Sequence, residues 1–316
     1  MLLFSGFKGK TLWDWLSLAG VPLSLAVLGF WLQIQQQKQN DLQKQRELEQ
    51  TEKLAAVERE QTEKLATIEQ GIAEQNRQEE ALENYFDKVS ALLVEKNLLA
   101  IAAKLAKAEK DQETGEAPTE SDTGDTTTPE ERELLDISVD VIRARTLATL
   151  RRLDGNRKGS LIRFLTEAKV ISKLSLSLKD ADLSHANLHR ADLSFAKLRH
   201  ANLRGADLSG AKLGSADLYG AFLSDAVLVY AKLSGANLHG ADLSGAKLGS
   251  ADLTGTFMDE VNLSSANLNG AIGLTKEQLE GGEGPYLCRT QLPEGIDIDP
   301  NRDCEGLEID VDPEPD

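Results

Sequence analysis

Aromatic side chains make up only 5% of this 316-residue chain, and its three tryptophans, Trp13, Trp15 and Trp31, all lie near the start. A broad mixed core normally draws on aromatics, so the sequence implies a narrow interior of small and aliphatic residues. Cysteine is scarce as well. Cys288 and Cys304 are the only two, and no histidine follows His239, which leaves too few ligands there for a closed zinc site. The pair is open to two readings, free thiols in a reducing compartment or a single disulfide. G-x-S-x-G, P-loop and dinucleotide fingerprints are missing, so no catalytic residue, metal or cofactor is expected. A basic face is missing too. The net charge is −17, with −9 carried by residues 35–128 and −10 by residues 276–316, and nucleic-acid binding is therefore disfavoured.

One long apolar run is present. WLSLAGVPLSLAVLGFWLQI, residues 15–34, holds no charge, and at about 1.5 Å per residue it reaches the ~30 Å of a bilayer core. Trp13 and Trp15 stand at one end and Trp31 at the other, where amphipathic rings favour the interface. Pro22 falls inside, which a spanning helix tolerates as a kink. No small-residue cleavage site follows the run, which argues against a removed signal peptide. Residues 1–34 are thus expected to anchor the chain in a lipid bilayer as a single pass. Lys38, Lys44, Arg46 and Lys53 follow the run and only Lys8 and Lys10 precede it, a slight lean towards a cytoplasmic body.

Residues 35–109 hold no proline and one glycine, Gly71, amid Gln, Glu, Lys, Ala and Leu, a composition that favours a long helix. EQTEKLAAVER at 49–59 is followed by EQTEKLATIEQ at 60–70, an eleven-residue repeat. From Ile68 the spacing alternates between four and three through Ile72, Gln75, Glu79, Leu82, Phe86, Val89 and Leu93. That seam predicts a coiled-coil stalk and a homo-oligomer; the plainer alternative is a helix folded onto its own domain. Residues 110–128 are acidic and turn-rich, the composition of a flexible linker. Thr128, Pro129 and Glu131 then spell a capping box, predicting a helix to about residue 153 and a second near 160–171. Arg143, Arg145, Arg151, Arg152, Arg157, Lys158 and Arg163 read most simply as the wet face of a helical cap spanning 129–175. An alternative is a grip on anionic lipid head groups or on an acidic partner.

From Ala181 the chain reads ADLSH ANLHR ADLSF AKLRH ANLRG ADLSG and onward, fifteen consecutive pentads with Ala first and Leu third. Three more, TFMDE, VNLSS and ANLNG, keep the register with Thr256, Met258 and Val261 as substitutes. A period of five matches neither the 3.6 of a helix nor the 2.0 of a strand. It fits a chain that turns a corner every five residues, with Ala and Leu inside. The expected core is Leu183, Leu188, Leu193, Leu198, Leu203, Leu208, Leu213, Leu218, Leu223, Leu228, Leu233, Leu238, Leu243, Leu248 and Leu253.

Such A-[DN]-L-x-x arrays resemble the bacterial pentapeptide-repeat family. The resemblance implies a right-handed, four-sided β-helix over residues 176–273, four pentads to the coil, followed by a C-terminal cap and acidic tail over 274–316. The fold class expected is therefore α plus β-solenoid: transmembrane helix, helical stalk, helical cap and quadrilateral β-helix. The segments ALENYFDKVSALLVEKNL and VIRARTLATLRRLDGNRKGSLIRFL look like membrane-anchored members common in photosynthetic bacteria, for which the resemblance supplies no activity.

ADLSGAKLGSADL occurs at 206–218 and again at 241–253. Each unit of a solenoid contacts only its neighbours, so a phrase works wherever its register is kept. The copies are seven pentads apart, which is not a whole number of coils, so identical outward residues point different ways. The duplication serves the interior. The four histidines, His185, His189, His200 and His239, take outward slots in which none stacks on another. The recurring Asp182, Asp192, Asp207, Asp217, Asp242 and Asp252 alternate with lysines and read as a solvated surface. In YGAFLSDAVLVY, by contrast, outward slots hold Tyr219, Phe222, Val227, Val229 and Tyr230. That apolar belt is the candidate docking patch, for a protein partner, a second copy or the chain's own stalk. The function expected is a membrane-tethered scaffold that presents a rigid β-helix. The alternative comes from the branch of the family that resembles duplex DNA and shields topoisomerases.

Overall fold

The structure, a computed structural model, describes residues 12–114, 128–280 and 283–304, with the backbone alone at 12–22, 109 and 111–114. Its helices are α1 (Leu12–Glu95), α2 (Leu98–Thr114), α3 (Pro129–Leu150), α4 (Gly155–Glu167), α5 (Val170–Lys173) and α6 (Lys276–Glu280). The chain divides into two compact units after Ala73.

The first unit is the leading part of α1. From residue 23 to 73 its side chains are exposed, Ala55 alone being half-buried. Among the described residues no helix is long and apolar enough to cross a membrane. The side chains of Trp13 and Trp15, and the first eight of the expected span 15–34, lie outside those residues, and Trp31 is exposed.

The second unit begins with the last turns of α1. The helix expected to run to residue 109 breaks instead at 96–97, where Asn97 takes φ 49°, a left-handed conformation that Asn tolerates better than most residues. Leu82, Tyr85 and Val89 of α1 join one core with Leu98 and Ile101 of α2, Ile142 and Leu150 of α3, and Leu161, Ile162 and Leu165 of α4. The seam expected over 82–93 therefore meets the chain's own helices. Tyr85 Oη lies 2.7 Å from Thr146 Oγ1, and Thr146 donates to the Ile142 carbonyl, so neither buried hydroxyl is orphaned.

The capping box is formed: Glu131 N–H donates to Thr128 Oγ1 at 3.2 Å, and Thr128 N–H to Glu131 Oε2 at 3.1 Å. Helix α3 ends at Leu150, short of the expected residue 153, and α4 starts at Gly155, earlier than the expected 160, where Asp154 caps it by accepting from Arg157 N–H. Gly155 and Gly159 then let α4 lie against the first coil. A Cβ at either would come within 2.0 Å of a carbonyl oxygen, that of His185 or Asn187, and Asn187 N–H donates to the Gly155 carbonyl. The basic cluster is not uniformly wet. Lys158 is 5% exposed and its ammonium reaches Asp182 at 3.1 Å and Ser184, while Arg157 pairs with Asp154 and Glu79.

Parallel bridges join second-position residues twenty apart, from Ser177↔Lys197 to Asp252↔Ile272. Four pentads therefore close one coil of the repeat β-helix. The hydrogen bonds explain the consensus. In the pentad at Ala206, the first amide closes a turn onto Leu203 C=O and the second donates back a coil to Ala186 C=O. The third and fifth donate forward to Val227 and Val229 C=O. The fourth amide has no backbone partner, and Asp207 Oδ1 accepts it at 3.0 Å. Asp or Asn in the second slot is thus a local cap for the turn, a part the solvated-surface reading missed. Asn and Asp also pair between coils, as Asn202–Asp182, Asn237–Asp217 and Asn262–Asp242. Every fifth residue from Asp180 to Gly220 has positive φ, which is why glycine recurs there. Inside, Leu183 through Leu253 and the alanines of most pentads are at most 1% exposed. Thr256 hides its hydroxyl on Leu253 C=O.

The β-helix continues past α6. Tyr286 pairs with Asn262 and Gln291 with Asn267, adding a layer within the stretch expected as cap and tail. Cys288 and Cys304 are joined by a disulfide, which closes the question of free thiols. Asp303 accepts from Leu287 N–H, and Arg302 donates to the Pro285 carbonyl.

Candidate interaction face

Twenty-residue pairing sorts the outward side chains into columns. The fourth slot of one side reads Lys179, Arg199, Tyr219, His239 and Asp259. Tyr219, half-buried, is its centre. The Arg199 guanidinium lies 4.2 Å from its ring centroid, a cation–π contact. His239 stacks on the other side at 5.0 Å with 23° between planes, and His200 meets the ring edge-on at 5.6 Å. The histidines do not stack on one another, but two of them bracket one tyrosine. Arg199 also reaches Asp217 Oδ2 at 3.4 Å.

Charge changes along this side. In the fourth slots Lys179 and Arg199 stand at one end, with Asp180 beside Lys179, and Asp259 stands at the other, with Glu260 and Glu283 beside it. His239 Nε2 lies 3.8 Å from Glu260. A hydrogen bond with Glu260 raises the exposed Glu283 carboxyl above its ordinary value, because like charges in contact favour a retained proton. The column is thus graded from cationic, through aromatic, to anionic.

The five residues expected as one patch are spread around the β-helix. Tyr219 lies in the column just described, Phe222 in the second slot of the next side under Arg204, and Val227, Val229 and Tyr230 on the side after that. Phe222 and Tyr230 are exposed, and the two valines half-buried. One belt on three sides cannot meet one flat partner, because successive pentads turn corners. The residues sequence reasoning passed over are Arg199, His200 and His239, and reading the fourth slots at intervals of twenty would have found them.

The outward carboxylates serve structure. Partial burial pushes Asp207 upward, but bonds from the Ser209 hydroxyl and amide, with His189 nearby, outweigh it and hold the group below its ordinary value. Asp182 and Asp192 follow the same pattern, aided by Ser184 with Lys158 and by Ser194 with Lys212. Among the described residues no group of His, Cys, Asp and Glu is arranged to hold a metal ion.

The family described as "Pentapeptide repeats (8 copies)" matches residues 177–214, 206–245 and 241–272. No curated protein matches the chain. Among solved structures it is similar to HetL, a pentapeptide repeat protein involved in heterocyst differentiation regulation from the cyanobacterium Nostoc sp. strain PCC 7120. The identity is 33% over 38% of this chain and 52% of HetL, with a TM-score of 0.30. Likewise alr5209, a pentapeptide repeat protein from Nostoc PCC 7120, is 30% identical over 37% of this chain and 77% of its own, with a TM-score of 0.28. QnrB1, a plasmid-mediated fluoroquinolone resistance protein, is 22% identical over 39% and 64%, with a TM-score of 0.20. The chain spans about half the length of HetL.

Proposed function

The chain belongs to the pentapeptide-repeat family, and on that premise we propose that it is a protein-interaction scaffold that binds its partner along the Lys179–Arg199–Tyr219–His239 column. The Arg199–Tyr219–His239 stack carries the reading. An interior of repeated Ala and Leu is uniform, so recognition must come from outward slots, and here three adjacent coils contribute one continuous cationic and aromatic strip. Tyr and Arg are the side chains that most often dominate binding energy, and rigid coils present them with little ordering cost.

We further propose that residues 15–34 tether this scaffold to a bacterial membrane, supported by the length and flanking tryptophans of the run. The slight Lys and Arg excess after the run favours a cytoplasmic body, whereas the Cys288–Cys304 bridge favours an oxidising compartment. The bridge belongs to the folded β-helix and the charge excess is small, so we place the body on the oxidising side. Alkylation of intact cells without reductant should then leave both cysteines unlabelled; labelling of both would put the body in the cytoplasm.

The column is tested by crosslinking and pull-down from native membranes. The intact protein is compared with Arg199→Ser combined with Tyr219→Ser, and separately with Phe222→Ser combined with Tyr230→Ser. Loss of partners in the first variant alone supports the column. Equal recovery in all three removes it, and loss in the second alone moves the site to the belt. A DNA-mimicking role requires a strongly negative exterior, and residues 176–275 carry eight Lys and Arg against ten Asp and Glu.

A further inference from the structure

Leu54, Val57, Leu65, Ile68 and Ile72 are all more than half exposed on α1. At 100° per residue they fall, with Gln50 and Gln61, on one narrow stripe of the helix. A helix of this length and polarity gains little from propensity alone, and most helical stability comes from packing an apolar face. Nothing among the described residues of this unit covers the stripe.

The charges beside the stripe say what does. Lys53 and Lys64 immediately precede Leu54 and Leu65 and lie along one flank. Glu58 and Glu69 immediately follow Val57 and Ile68 and lie along the other. Each lysine is thus five residues before a glutamate across the stripe, the spacing of flanking charges that pair between parallel coiled-coil helices. An antiparallel partner would set lysine flank against lysine flank and glutamate against glutamate. Lys64 already bridges Glu60 at 2.6 Å on its own flank, whereas Lys53, Glu58 and Glu69 take no ion pair among the described residues.

We infer that residues 50–72 form a parallel, in-register coiled coil with a second copy of this chain, with Lys53 facing Glu58 and Lys64 facing Glu69 of that copy. The eleven-residue repeat sets the geometry. Three turns per eleven residues is close to the natural period of a straight helix, so the stripe stays in line without strong supercoiling. The stripe shares only Ile68 and Ile72 with the seam read from sequence over 68–93, of which Leu82 and Val89 are already buried within the chain. The self-association stands independently of any partner at the β-helix.

Two sets of full-length variants in detergent test it. Gln50→Cys and Gln61→Cys each place a thiol on the stripe, the native cysteines being already paired. Under mild oxidation both single variants should give covalent dimers. Failure of either overturns the in-register arrangement. In the second set, Lys53→Glu with Lys64→Glu, and separately Glu58→Lys with Glu69→Lys, give each flank the same sign. Each alone should raise the concentration needed for association, measured by light scattering, by about tenfold or more, and mixing the two should restore it. Circular dichroism shows whether each variant stays helical. A monomeric parent chain, or variants whose mixing restores nothing, would sink the proposal.

Discussion

A single pentad shows how little freedom its fifth residue has. Gly240 sits at φ 64°, and a Cβ added there would meet nothing within 4 Å. Its replacement by alanine therefore isolates the backbone cost, and Gly240→Ala should lower unfolding free energy by about 1–2 kcal/mol in urea titration. Gly220→Ala should cost more, because the new Cβ would fall 2.5 Å from His200 Nδ1 and disturb the ring beside Tyr219. The third slot obeys a different rule. Leu213 is fully buried between coils that cannot collapse inward, so Leu213→Ala should cost about 2–5 kcal/mol. Inward slots were legible from the pentad alone. The work of the second slot was not, because an aspartate that caps the fourth amide looks the same in sequence as one that faces water.

Among the elements, the helices preceding the β-helix were the least readable. Capping chemistry at Thr128 and Glu131 is local and was plain, but the break at Asn97 depends on what Leu98 and Ile101 bury, and that is set by α3 and α5, against which α2 packs. Seam periodicity marks which residues are covered and not by what: Leu82 and Val89 have the spacing of an intermolecular coiled coil and are buried within the chain. Tyr85 reports on this packing. Burial, only partly offset by its bond with Thr146, pushes the phenol up from its ordinary 10.0 to about 12. A raised value favours the protonated folded form. Its contribution is fully present below about pH 10 and lost as pH rises through about 12, so Tyr85→Phe should flatten the alkaline limb of the helical unfolding curve. The β-helix should fail at the opposite extreme. Asp182, Asp192 and Asp207 are held below their ordinary 3.8, so their stabilisation is present above about pH 4 and fades as pH falls further. Thermal melts between pH 2 and 5 check the sign.

For the whole molecule, stability is carried from neighbour to neighbour. Reducing the Cys288–Cys304 bridge, which closes a loop of 16 residues, should remove about 3 kcal/mol by loop entropy. That loss should stay near the end of the β-helix. Hydrogen exchange at Tyr286 and Gln291 should quicken, while amides of residues 201–240 keep their protection; a uniform loss would mean that the coils unfold as one body. From residue 181 to 255 one rule repeats and its Leu slots are buried, whereas the added layer at Tyr286 and Gln291 lies outside that rule. The Arg199–Tyr219–His239 stack was not legible, because it exists only when residues twenty apart are set side by side.

That spacing gives the coil a phase. Excising twenty residues would remove one layer and return all later side chains to their former bearings. Excising five would leave the inner stack intact and swing everything beyond the cut through a quarter turn, carrying His239 away from Tyr219. The molecule can thus change its height without changing its heading only in steps of a full revolution.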